Sequence, residues 1–311
     1  MRISAFLFLG AVTLTACGGS DGTGIPPLES PPATRAAYYS WMHPDVERAW
    51  GDGFLGQGTR ITVVDDFMTP DTIGSLGGGN TCRSHGTCVE LIAGMIAPET
   101  QLEQVAWDWG NSFSLRAGQL NVINLSYGRP MPRWQANAGV LGRMDGDLVK
   151  IALEGTAVVV KAAGNDAIAV DATVPSGAFS GSVDGLNIAL IDGQSHIFVG
   201  ALSRNGTVDN PADLADYSNF AGSNTAIQEQ FLTVGVDSAR MGGLAGTSFA
   251  APIVSGYAAI LGSKFPDASP EQIVNQLLNE ARTDTIRNYD PARHGRGEAS
   301  ILDALAPISL E

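Results

Sequence analysis

Cysteine is scarce in this 311-residue chain, where only Cys17, Cys82 and Cys88 occur. Three thiols are too few for a small disulfide-stapled scaffold, and their spacing is not that of a zinc finger or ribbon. Histidine is almost as rare, at His43, His85, His196 and His294. Charged residues make up 16% of the chain against 44% hydrophobic, which excludes a disordered polyelectrolyte and suits a large buried core. Positive charge is in deficit: 18 Lys and Arg face 32 Asp and Glu, for a formal net charge of −14. Such a surface repels phosphate backbones and argues against a nucleic-acid partner. What the chain has in abundance is glycine, 38 residues of it, as expected where short elements alternate with tight turns.

The first residues read as an address. Met1-Arg2, the apolar run Ala5 to Leu14 and the small pair Thr15-Ala16 have the form of a secretory signal. The run is shorter than the roughly 20 apolar residues of a spanning helix. Leu14-Thr15-Ala16-Cys17 resembles a bacterial lipobox, in which the Cys becomes the lipidated N-terminus. The glycine-rich stretch Gly18 to Gly24 reads as a flexible tether, stiffened further on by Pro26, Pro27, Pro31 and Pro32. Residues 1–16 are therefore expected to be a lipoprotein-type signal peptide, 17–37 a tether and 38–311 a single folded domain. The expected location is the bacterial cell envelope, with the monomeric protein lipid-anchored on the periplasmic or extracellular side.

Beyond the tether, strand-like and helix-like patterns alternate. Residues 58–65, 121–126, 157–163 and 197–201 read as buried strands rich in β-branched residues. Residues 85–97, 146–154, 248–261 and 270–282 read as helices. This order implies an α/β fold, a mostly parallel twisted sheet with helices on both faces, in three layers. In such sheets the site lies where strands end and helices begin. Three segments there carry chemistry: Val63-Val64-Asp65 at a strand end, His85-Gly86-Thr87 at a helix start, and Gly246-Thr247-Ser248 at another. Taken singly, each has an ordinary structural reading as a turn residue, a structural histidine or a helix cap. Together they follow the order Asp, His, Ser, which is the order of the general subtilisin example of a serine triad.

These blocks, with Phe249-Ala250-Ala251-Pro252 after the serine, resemble the catalytic blocks of subtilases. Val122-Ile123-Asn124-Leu125-Ser126-Tyr127-Gly128 and Val159-Val160-Lys161-Ala162-Ala163-Gly164-Asn165 resemble the family's two specificity-pocket walls, the second ending in the oxyanion Asn. Tyr217-Ser218-Asn219-Phe220 and Gly295-Arg296-Gly297 are weaker echoes, and the likeness runs from about Gly58 to Ala306. The resemblance implies a subtilisin-like serine endopeptidase acting on proteins or peptides through an acyl-enzyme. Ser248 would be the nucleophile, His85 the general base and Asp65 the residue that orients it, with Asn165 and the Ser248 N–H as the oxyanion hole. Ser126, Tyr127, Gly128, Ala162, Ala163 and Gly164 would bind substrate.

The pattern also departs from the family. Asp66-Phe67 follows Asp65 where subtilases commonly have a small polar residue and Gly, so Asp66 is a rival carboxylate. The stretch between Ala97 and Val122 is short, and carries Trp107-Asp108-Trp109 where an edge strand and helix are usual. Cys82 and Cys88 bracket His85; a local disulfide and two free thiols are both open. No folded propeptide fits between Cys17 and Tyr38. Neither a cofactor nor a catalytic metal is expected. A structural calcium is common in the family, although no acidic loop here has a recognisable calcium pattern. The alternative function is a catalytically silent subtilase fold serving as an envelope binding module. A non-peptidase esterase is disfavoured, because no Gly-x-Ser-x-Gly elbow surrounds Ser248.

Overall fold

Runs of Val and Ile build the centre of the molecule. The computed structural model describes residues 37–107, 114–136 and 139–310, and Ala36–Glu311 forms one compact unit. Six strands form the main sheet: β1 (Thr59–Asp65), β2 (Gln101–Ala106), β3 (Leu120–Leu125), β4 (Val158–Ala162), β5 (His196–Leu202) and β6 (Phe231–Gly235). Their order is β2-β1-β3-β4-β5-β6, and every neighbouring pair is parallel. The expected α/β class and parallel sheet are therefore present. β2 and β6 are additions to the four strands read from sequence. β2 lies at the sheet edge with much of its surface exposed, so it lacks the continuous apolar run that marks a buried strand.

Helices cover both faces. The main ones are α1 (Pro44–Gly51), α2 (His85–Ile96), α3 (Arg143–Leu153), α4 (Gly185–Leu190), α5 (Thr247–Lys264) and α6 (Pro270–Asn279). Side chains alternate across a strand, so each strand feeds two cores. Ile61, Val63, Val122, Val158, Val160, Ile197 and Val199 pack with α2, α5 and α6. Val64, Ile123, Leu125, Val159 and Phe198 pack with α3 and α4 on the opposite face. α5 is apolar all round because it is buried all round, from Thr247 to Gly262 with only Ser248 less than fully covered. Running beneath β1, β3, β4 and β5, it carries its first turn to the carboxyl ends of the strands.

Local chemistry fixes the helix starts. Ser84 and Thr87 form a reciprocal capping box that begins α2 at His85. Ser269 and Gln272 do the same for α6, with Pro270 in its first turn. Pro252 lies inside α5 and has no N–H to give the Ser248 carbonyl four residues earlier. The Ser126 hydroxyl donates to that carbonyl instead, at 2.9 Å. A sequence feature that ordinarily weakens a helix thus ties the end of β3 to the first turn of α5.

Candidate active site

Of the four histidines, three are accounted for structurally. The His43 Nδ1 accepts from the Asp45 N–H and caps α1. His196 is fully buried, edge-on to Phe198, and burial lowers its pKa to about 4, so it stays neutral. His294 packs on Tyr289 and bonds to the Asp290 backbone. His85 lines a cavity together with Ser248.

That cavity, of about 390 Å³, is lined by His85, Ser248 and Asn165, with Asp71, Thr72 and Ile73 along one side and Gly243 to Ala245 on the other. The His85 Nδ1 bonds to Asp65 Oδ1 at 2.7 Å, and Asp65 is buried at the end of β1. The Asp66 backbone N–H donates to the same Asp65 Oδ1 at 2.7 Å, but the Asp66 side chain does not bond to His85. Its carboxylate accepts from the Met68 and Thr69 N–H groups and the Thr69 hydroxyl, closing a turn that faces solvent. Those bonds hold its pKa below the ordinary carboxylate value.

Opposing effects act on His85. Burial pulls its pKa down, but the hydrogen bond and charge of Asp65, with the charges of Asp71 and Asp66, outweigh it and hold the imidazole above its usual value. The Ser248 hydroxyl donates to the Ser126 carbonyl at 3.1 Å rather than to His85. Catalytic hydrogen bonds of this kind often close only when substrate is bound.

Opposite His85, the turn after β4 presents Asn165. Gly164 adopts φ +114°, and a Cβ there would lie 2.3 Å from the Asn219 amide nitrogen, so only glycine fits. Asn219 anchors this turn from below, accepting from the Asp166 and Ile168 N–H groups and donating to the Ala163 carbonyl. Thr247 clamps it from the side: its hydroxyl accepts from the Gly164 N–H, and its own N–H donates to Asn165 Oδ1 at 2.8 Å. With Oδ1 so engaged, the Asn165 Nδ2 hydrogens have no partner among the described residues. The Ser248 N–H, at the second position of α5, likewise has no helical acceptor. Two donors therefore flank the serine at a helix N-terminus, where partial positive charge gathers.

A second cavity, of about 380 Å³, also opens at Ser248 and Asn165. Its lining includes Ser126, Tyr127 and Gly128 together with Ala162, Ala163 and Gly164. Tyr127 donates to Asp145 at 2.7 Å, and burial with the Asp145 charge pushes its hydroxyl pKa well up. Trp107 follows β2 and donates its N–H to the Asp65 carbonyl, its ring against the Arg129 guanidinium at 3.7 Å. Asp108 and Trp109 lie outside the described residues, as do Cys17 and the tether to residue 36. Cys82 and Cys88 form a disulfide, which resolves the alternative that sequence left open. Among the described residues, no three His, Cys, Asp or Glu side chains converge as a metal site.

Thr247, Asn219, Asp71 and Asp184 were not singled out from sequence. Asn219 had a faint signal in the Tyr217 to Phe220 block, whereas Asp71 and Asp184 reach their cavities only through tertiary folding.

The family model for the subtilases, peptidase family S8, matches residues 100–297. The chain belongs to the subtilase family. The matched region includes Asn165 and Ser248, while Asp65 and His85 precede it and join them through the fold. Among curated proteins, this subtilase is 54% identical to mycosin-1 of Mycobacterium tuberculosis over 68 residues, 22% of the chain and 14% of that relative. It is 58% identical to mycosin-5 of the same organism over 38 residues, 12% of the chain and 6% of that relative. The matches thus span a small part of the curated relatives' length. Among solved structures, the prenylagaramide maturation protease PagA has a TM-score of 0.56 at 21% identity, over 85% of this chain and 98% of that one. MycP1 of the ESX-1 type VII secretion system has a TM-score of 0.51 at 19% identity, over 88% of each chain. At these identities the structures speak for a shared fold.

Proposed function

We propose that this subtilase is a serine endopeptidase of the bacterial cell envelope, working through Asp65, His85 and Ser248. The observation that carries this reading is the 2.7 Å bond from His85 to buried Asp65 beside a cavity that His85 shares with Ser248 and Asn165. Ser248 attacks the peptide carbonyl while His85 takes its proton, and Asp65 keeps the imidazole in the tautomer that accepts at Nε2. The developing oxyanion draws on the Asn165 Nδ2 and the Ser248 N–H. His85 then returns the proton to the leaving amine, and water resolves the acyl-enzyme by the same route. The cavity between the Ser126–Gly128 and Ala162–Gly164 walls takes the side chain just before the cleaved bond. Its substrates are proteins or peptides at the membrane surface, where the lipid on Cys17 holds the enzyme.

The test is labelling with a fluorophosphonate probe, which reacts only with an activated serine. Wild type is expected to label and Ser248→Ala to remain unlabelled. A well-folded wild type that does not label would replace this reading with the silent binding module.

A further inference from the structure

Lys161 is out of place for its strand. β4 is otherwise Val158, Val159, Val160 and Ala162, buried throughout, and Lys161 is only 1% exposed. It shares a sheet face with Val159, beside the core formed with α3 and α4. An ammonium is not left in such a place without partners. Lys161 Nζ donates to the Ala162 carbonyl at 2.7 Å and pairs with Asp184 Oδ2 at 3.1 Å.

Asp184 is the other half of the arrangement. Its Oδ1 accepts from the Arg129 and Leu186 N–H groups, so the carboxylate is held from three sides. It also presses against the facing wall: a Cβ at Gly128 would lie 2.8 Å from Oδ2. Lys161 and Asp184 both line the cavity that opens at Ser248. The Asp184 side chain is 19% exposed against 1% for Lys161, so the carboxylate faces the space and the ammonium backs it. Of the other charged residues lining the cavity, Arg129 is engaged by Asp145 and Asp166 stands at the exposed rim.

We propose that Lys161 is a specificity-determining residue: it occupies an acid that would otherwise attract cationic side chains, and so restricts the cavity to uncharged residues before the cleaved bond. A substrate Lys or Arg would bring a second cation to a carboxylate already paired with one. A substrate Glu would meet the carboxylate first. Like-charge juxtaposition in a closed site discriminates strongly. This inference rests on the peptidase reading above and on that cavity's receiving the side chain before the cleaved bond.

The experiment compares kcat/KM for quenched peptides that differ only at that residue, as Leu, Gln, Glu, Lys or Arg, using the full chain. Wild type is expected to cut the Lys and Arg peptides at least about tenfold less well than Leu or Gln. Lys161→Met unmasks Asp184 and should raise Lys and Arg relative to Leu by about tenfold or more. Asp184→Asn leaves the ammonium alone and should raise Glu relative to Leu, with no gain for Lys or Arg. Fluorophosphonate labelling of every protein reports an assembled Ser248 independently of specificity. A labelled wild type that cuts after Arg as readily as after Leu overturns the proposal, as does a labelled variant with an unchanged profile. The two variants shift the profile in opposite directions, so if one misfolds the other still decides. A folded wild type that fails to label removes the peptidase reading, and this proposal with it.

Discussion

In the proposed oxyanion hole, Asn165 would work through the half of its amide that the fold leaves unused. Its Oδ1 is committed to the Thr247 N–H, so only Nδ2 can serve a substrate oxyanion. Asn165→Ala should lower kcat roughly 10²- to 10³-fold with KM little changed, as loss of a transition-state donor does. Asn165→Asp separates that role from the structural one. It keeps an oxygen for Thr247 and loses the donor, so kcat should fall as far while the melting temperature holds better than in the Ala variant. His85 makes a second prediction at this scale. As a base it must be neutral, and its neighbours hold its pKa above 6.5. Activity should therefore fall as pH drops through a midpoint above 6.5, by roughly tenfold per unit at lower pH. Asp71→Asn removes one of the negative charges favouring the imidazolium, so His85 loses its proton more readily. The acid limb of the kcat/KM profile should then move to lower pH; a shift to higher pH would contradict the assignment.

At the level of elements, the segment between β1 and α2 carries the Asp66-Phe67 departure from the family pattern. It runs from Asp65 through the Asp66 turn to the Ser84 cap, and the Cys82–Cys88 disulfide pins it to the first turns of α2. Closing so short a loop stabilises by about 2 kcal/mol in the chain-entropy model. Cys82→Ser should accordingly lower the melting temperature by about 5 °C and reduce kcat, because the helix start that aims His85 loses its brace. Alkylation of the denatured, unreduced domain should find neither Cys82 nor Cys88 reactive. Much of this architecture was legible beforehand. The strands at 59–65, 120–125, 158–162 and 196–202 announce themselves because burial on both faces fills them largely with Val, Ile and other apolar residues. Helix α2 did so through its start at His85. β2 was not legible, since an edge strand lacks that pattern. The Lys161–Asp184 pair was not legible either. It joins residues 23 positions apart through β4 and the start of α4, and no local rule makes a lysine in a valine strand the partner of a helix-capping aspartate.

At the scale of the whole molecule, the membrane attachment proposed above rests on Cys17. No helix among the described residues is long and apolar enough to cross a membrane. The chain's formal charge of −14 opposes adsorption to anionic lipid. An acidic chain gains little from electrostatic adsorption, so on the reading proposed above the lipid on Cys17 is expected to carry the attachment. Two outcomes follow from that arrangement. Washing membranes with 1 M salt should leave the wild-type protein in the pellet, since salt screens ion pairs but not an inserted acyl chain. Cys17→Ala should abolish incorporation of labelled palmitate, and its cleaved product should be soluble with undiminished reactivity of Ser248 toward fluorophosphonate. A wild-type protein released by salt, or a processed Cys17→Ala protein that stays in the pellet, would show that something other than the lipid binds the domain to the membrane.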